Sequence, residues 1–148
     1  MKKNLLEFIS LLLSVVLFLV PKYIAPVCMP NPDGSHMACF YSGNLIMKFA
    51  VFLFIISLSM ILASRYFFAK FIKIIGSIAN IVIAALVYMV PHGIVYMENE
   101  IGKPYGICSM HTMECHTHHT FEIAAIIAGL IALVMLINLI YIFLRKVR

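Results

Sequence analysis

Four runs of about 20 residues carry almost nothing but apolar side chains, and they constrain the fold more than any other feature of the chain. They are Leu5 to Val20 (continuing toward Ile24), Leu45 to Ser64, Phe71 to Val90, and Ile123 to Leu144. Apolar residues surround each run on every face, as in helices whose solvent is hydrocarbon. A backbone placed in lipid must satisfy its own N–H and C=O groups, and an α-helix does so within one segment. The expected fold is therefore all-α: a polytopic membrane protein of four transmembrane helices arranged as two hairpins. One membrane domain over residues 1–148 is expected, with helices at about 5–24, 45–64, 71–90 and 121–144 and outer loops at about 22–43 and 91–120. Composition agrees: 64% of the 148 residues are hydrophobic and 11% are charged, against about 25% charged in an ordinary soluble domain.

The formal net charge is +5, and the positions of the charges say more than their sum. Lys2, Lys3, Arg65, Lys70, Lys73, Arg145, Lys146 and Arg148 sit at the chain ends or in the short segment between the second and third runs. An even number of crossings puts these segments on one side of a bilayer, while Lys22, Lys48 and Lys103 fall toward the other. Basic residues collect on the cytoplasmic side, so both termini are expected in the cytoplasm of a bacterial inner or plasma membrane. Attraction to anionic lipid is a secondary effect of the same charges. No basic helix or aromatic stacking surface points to nucleic acid. The first run has a basic start but no small-x-small cleavage site, so an uncleaved helix is expected.

The two hairpins echo each other. Val20-Pro21 and Val90-Pro91 end the outward spans, and Met37-x-Cys39 and Met113-x-Cys115 precede the returning ones. This reads as a parallel duplication about an axis along the membrane normal. Asn80 lies seven residues beyond Lys73, and Asn138 seven before Arg145. At 1.5 Å per residue both amides sit about 10 Å inside the same boundary, and they are expected to face each other or a shared interior site. Ala124, Ala128 and Ala132, with Ala125 and Gly129, offer a smooth surface for close helix packing. Glu7, the only acidic residue inside a run, is close in sequence to Lys2 and Lys3 and is expected to snorkel or pair there.

All four cysteines (Cys28, Cys39, Cys108, Cys115) and all six histidines (His36, His92, His111, His116, His118, His119) fall in the outer loops. Met29, Met37, Met110 and Met113 join them. Thiolate, thioether and imidazole are ligands for soft metals, and the thioethers turn the choice toward copper. The strongest set is Cys108, Met110, His111, Met113, Cys115 and His116, with His36, Met37 and Cys39 from the first loop. There is no C-x-x-C, no H-E-x-x-H and no C-x-x-C-H. Four cysteines on an oxidising side also form two disulfides, with three connectivities open. A reactive thiol pair is the third reading, without the close C-x-x-C spacing of disulfide-generating membrane enzymes. No carboxylate pair is spaced for acid–base work and no glycine loop cradles phosphate, so a nonenzymatic role is favoured.

With His36-Met37-Ala-Cys39-Phe-Tyr-Ser-Gly43 and Cys108-x-Met110-x-x-Met113-x-Cys115-His116-Thr117, the chain resembles an uncharacterised bacterial family of small four-helix membrane proteins. Its members are often encoded beside MacB/FtsX-like ABC transporters. The resemblance implies an accessory role toward such transporter subunits, with no activity or cofactor assigned. The family pattern often has His after the first-loop cysteine, where this chain has Phe40. That substitution removes one candidate ligand and leaves a disulfide-stapled loop untouched. A homo-oligomer is compatible with everything above.

Overall fold

The computed structural model describes residues 4–28, 36–64, 66, 68–98, 102, 104–107 and 117–147, the last three through their backbone alone. Four helices follow one another: α1 (Leu5–Leu19), α2 (Ala38–Ala63), α3 (Ala69–Met89) and α4 (Thr120–Val147). Each helical segment is long and apolar enough to cross a membrane, and no strand occurs among the described residues. The chain is a multi-pass membrane protein, all-α, as the four apolar runs predict.

The helices close a ring in which α1 packs against α2 and α4, and α3 against α2 and α4. The contacts are most extensive within the hairpins α1/α2 and α3/α4. One end of the bundle gathers the start of α1, the α2–α3 turn and the last turns of α4, and is called here the terminal end. The other carries the two long connections and is the loop end.

Two helix boundaries have particular physical causes, the first where the sequence places it and the second not. The first helical segment runs on past Val20 to Ile24, as the sequence predicts. A five-residue π-helical turn, Val20–Ile24, continues it, with the Ala25 N–H bonded to the Val20 carbonyl at 2.9 Å. Pro21 lacks an N–H and cannot continue the α ladder, and the chain widens around it. The second helix begins at Ala38, seven residues before the apolar run does. Those first two turns contain Ser42, Gly43 and Asn44, which a hydropathy window passes over, yet Ser42 and Gly43 are buried against the loop-end connections. A β-carbon at Gly43 would come within 2.9 Å of a Val27 methyl, so the glycine admits the chain leaving α1.

The ring encloses Leu17, Val20, Ile46, Ala50, Leu53, Met60, Ala84, Val87, Ala124, Ala128, Ile131 and Met135, all buried in one cluster. Large apolar side chains such as Phe52, Leu62, Phe71, Ile126 and Leu144 are exposed on the outside, where lipid covers them. Lipid tails are as apolar as leucine, so close packing and internal hydrogen bonds hold such a bundle together rather than the hydrophobic effect. Gly76 shows how close the packing is: a β-carbon there would meet Met60 Sδ at 2.6 Å.

Candidate functional site: a buried ion pair and polar network

The terminal half of the bundle is polar inside. On α1, Glu7, Ser10 and Ser14 recur at helical spacing and all are buried. On α3, Lys73, Ser77 and Asn80 do the same at intervals of four and three residues, with Ser77 and Asn80 fully buried. Ser57 on α2 and Asn138 on α4 complete a polar stripe contributed by all four helices.

At its centre is an ion pair. Lys73 Nζ lies 2.8 Å from Glu7 Oε1, and Glu7 is only 1% exposed. Lys73 also donates to Asn4 Oδ1 at 2.9 Å, and Ser64 Oγ donates toward Asn4 Oδ1 at 3.0 Å and the Met60 carbonyl at 3.1 Å. Asn138 Nδ2 donates to Ser77 Oγ at 3.2 Å and, more weakly, to Glu7 Oε1 at 3.4 Å. One helical turn deeper, Ser10 and Ser57 hydroxyls bond at 3.1 Å, and Asn80 Nδ2 donates to Ser57 Oγ at 3.2 Å. Glu7 Oε2 and Asn80 Oδ1 are buried acceptors without a hydrogen bond.

Each component suits a low-dielectric site. A carboxylate alone in hydrocarbon is costly and persists there with a counter-ion and hydrogen-bond donors. Lys73 supplies the first and Asn138 the second. Ser14, whose Oγ donates to the Leu11 carbonyl at 2.7 Å, satisfies its hydroxyl within its own helix. Glu7 therefore turns inward to Lys73 rather than snorkelling out; Lys2 and Lys3, the partners expected from sequence, lie outside the described residues. Asn80 and Asn138 are both interior, but each bonds a serine on a neighbouring helix rather than the other amide. On α4 the packed face is Ala124, Ala128, Ile131, Met135 and Asn138. Ala125 is half-buried, and Gly129 is exposed with nothing within 4 Å of a built β-carbon.

The network opens at the terminal end into a cavity of about 350 Å³ lined by Asn4, Ser64, Lys70, Lys73, Asn138 and Tyr141. The serines and Lys73 were not singled out from sequence as site residues. The signal was present as polar residues at i, i+3 and i+4 on two apolar helices, on the same face as Glu7 and Asn80.

The loop end is organised differently. Ser42 is fully buried; its hydroxyl donates to the Gly106 carbonyl and accepts from the Gly106 N–H, both at 2.9 Å. This clips the second connection onto α2. Cys28 and Cys39 are both buried in the apolar cluster at this end. His36 stacks on Phe40, with ring centroids 4.1 Å apart, and its Nδ1 is buried without a hydrogen bond. Met37 is the N-cap of α2 and packs against the same cluster. His92 bonds the Tyr88 carbonyl at 2.8 Å, and His119 pairs with Glu122 at 2.7 Å on the exposed first turn of α4. Tyr96 donates to Glu98 at 2.7 Å. This hydrogen bond, and then the carboxylate's charge, raise the phenol's pKa above its ordinary value. Cys108, Met110, His111, Met113, Cys115 and His116, with Met29, lie outside the described residues. Among the described residues, no group of three or more His, Cys, Asp or Glu side chains is gathered to hold a metal. A groove of about 710 Å³ between α1 and α2 at this end is lined mainly by apolar side chains, with Lys22 and Lys48 at its edge.

No curated protein and no solved structure matches the chain. A family model does, over residues 10–144, nearly the whole bundle. The chain thus belongs to the family described as a domain of unknown function, DUF4418.

Proposed function

We propose that this chain is a nonenzymatic accessory protein of an ABC-type transport system in the bacterial cytoplasmic membrane. Both termini and the terminal end face the cytoplasm, and the loop end forms a disulfide-braced outer cap that contacts the permease or its extracytoplasmic domain. The observation that carries the reading is the apolar seal across the middle of the bundle. Leu17 and Val20 of the first helical segment, Ile46, Ala50 and Leu53 of α2, Ala84 and Val87 of α3, and Ala124, Ala128 and Ile131 of α4 form one buried cluster. The cluster lies between the polar network and the loop-end connections. A single bundle so closed is suited to holding or contacting a partner rather than to conducting a solute. The basic excess at the termini and the α2–α3 turn supports the orientation, and the burial of Cys28 and Cys39 at one end supports the braced cap. The test is cross-linking and affinity capture from native membranes, with recovered subunits identified by mass spectrometry. Recovery of a permease or its ATPase is the expected result; stringent capture recovering no transporter subunit overturns the proposal.

A second reading is supported by one specific feature, the buried, unpartnered Nδ1 of His36 beside Met37 and Cys39. Imidazole, thioether and thiol from this turn, joined by Cys108, Met110, His111, Met113, Cys115 and His116, constitute a donor set for Cu(I). On this reading the outer cap binds, senses or delivers copper. Protein purified without chelator then carries stoichiometric copper, lost on Met110→Leu with Met113→Leu. Absence of bound metal under reducing conditions rejects it.

A further inference from the structure

We infer that the terminal-end cavity is a binding site for the headgroup of an acidic phospholipid. The cavity, about 350 Å³, falls at the lower bound of the roughly 300–1,000 Å³ typical of small-ligand sites. Two lysines line it, Lys70 and Lys73, and among the described residues no carboxylate does. Glu7 lies behind Lys73, at 2.8 Å, with only 1% exposure. Its charge is thus already opposed by Lys73, and the cavity as a ligand meets it is positive. Lys70 is exposed, and among the described residues no carboxylate pairs with it.

Of the other lining groups, Tyr141 carries a hydroxyl that can donate to a phosphate oxygen, while Asn138 and Ser64, whose donors are already used within the network, form the polar wall behind the lysines. Ala69 and Lys70 belong to the first turn of α3, where the backbone dipole adds partial positive charge. Position chooses the lipid as the source of that phosphate. The cavity opens at the end of four membrane-length helices, and Leu5, Phe68, Phe71 and Leu144 are exposed at the same end. Headgroup phosphates occupy this level of a bilayer, and acyl chains run down the apolar outside from there. A basic pocket between helices at this depth has the chemistry that recognises acidic headgroups.

The test is native mass spectrometry of the full chain released from bilayers of phosphatidylglycerol or of phosphatidylcholine. One phosphatidylglycerol per chain is expected to be retained, with phosphatidylcholine lost. Lys70→Glu reverses a charge in the cavity while leaving the buried network intact; it should lower phosphatidylglycerol retention roughly thirtyfold, and Lys70→Arg should keep it. Far-UV circular dichroism of each variant confirms that the helices are unchanged. Equal retention of the two lipids, or retention indifferent to Lys70→Glu, overturns the site. Binding of inorganic phosphate without retention of phosphatidylglycerol overturns the lipid assignment.

Discussion

Lys73→Met tests whether the buried ion pair holds the terminal end together. The substitution keeps a long side chain of similar bulk and removes only the ammonium. Glu7, 1% exposed, is then left with one weak donor, Asn138 at 3.4 Å, and with a second oxygen that is already unsatisfied. Removing one partner of a buried pair costs about 3–5 kcal/mol because the other charge is stranded. The converse change, Glu7→Gln, should cost less. Lys73 is 13% exposed and keeps its bond to Asn4, and the glutamine still presents an oxygen to Lys73 and Asn138. Its loss is that of one charge-assisted hydrogen bond, roughly 1.5–3 kcal/mol. Combining the two changes removes both charges, so the double variant should be more stable than Lys73→Met alone, which requires a coupling larger than the roughly 1.5–3 kcal/mol that Glu7→Gln costs by itself. Helix content followed by far-UV circular dichroism through a titration with sodium dodecyl sulfate measures all three. A Lys73→Met cost below about 1 kcal/mol, or a double variant no better than the single one, refutes the reasoning that Glu7 depends on Lys73.

Other positions give sharper local contrasts. Gly76→Val should cost about 1–3 kcal/mol by overpacking, because a β-carbon there meets Met60 Sδ at 2.6 Å; Met60→Ala should relieve part of it in the same titration. Gly129→Ala, by contrast, meets nothing within 4 Å on an exposed helix face and should be neutral or stabilising by up to about 1 kcal/mol. Ser42→Ala strands the Gly106 N–H and carbonyl, so hydrogen exchange at 105–107 should accelerate by about tenfold or more, corresponding to roughly 1–3 kcal/mol of lost protection, while the helices stay protected. Tyr96 should titrate above an ordinary tyrosine, and Glu98→Gln should return it toward that value, read by NMR of labelled tyrosine ring carbons. A phenol whose folded pKa is raised contributes stability below its ordinary pKa and loses it as pH rises through the raised one. Any contribution from this exposed pair therefore disappears at alkaline pH.

Much of the architecture was legible in the chain because lipid imposes a simple rule. A segment that crosses must be helical and about 20 residues long, so composition alone locates four helices and their hairpins. That the two amides share one half of the bundle was legible for the same reason, since rise per residue converts sequence offset into distance along a helix. Less legible were the ends of elements. The first two turns of α2 look like loop by hydropathy and are helix because Ser42, Gly43 and Cys39 are buried against the connections. The π turn after Leu19 shows in sequence only as Pro21, and its hydrogen-bond register needed coordinates.

The candidate site divides along the same line. Sequence determined that Glu7, Lys73, Asn80 and Asn138 all lie in the half of the bundle nearest the termini, because each is a few turns from a charged boundary. Which of them meet is a matter of helix rotation and neighbour order, and an all-round apolar helix leaves rotation undetermined. Only the packed ring brings Glu7 to Lys73, 66 positions away in the chain. The same packing turns scattered serines into shared hydrogen-bond partners and opens a lysine-lined cavity. An isolated helix can show that a polar residue must find a partner in lipid; the partner is chosen by the three helices around it.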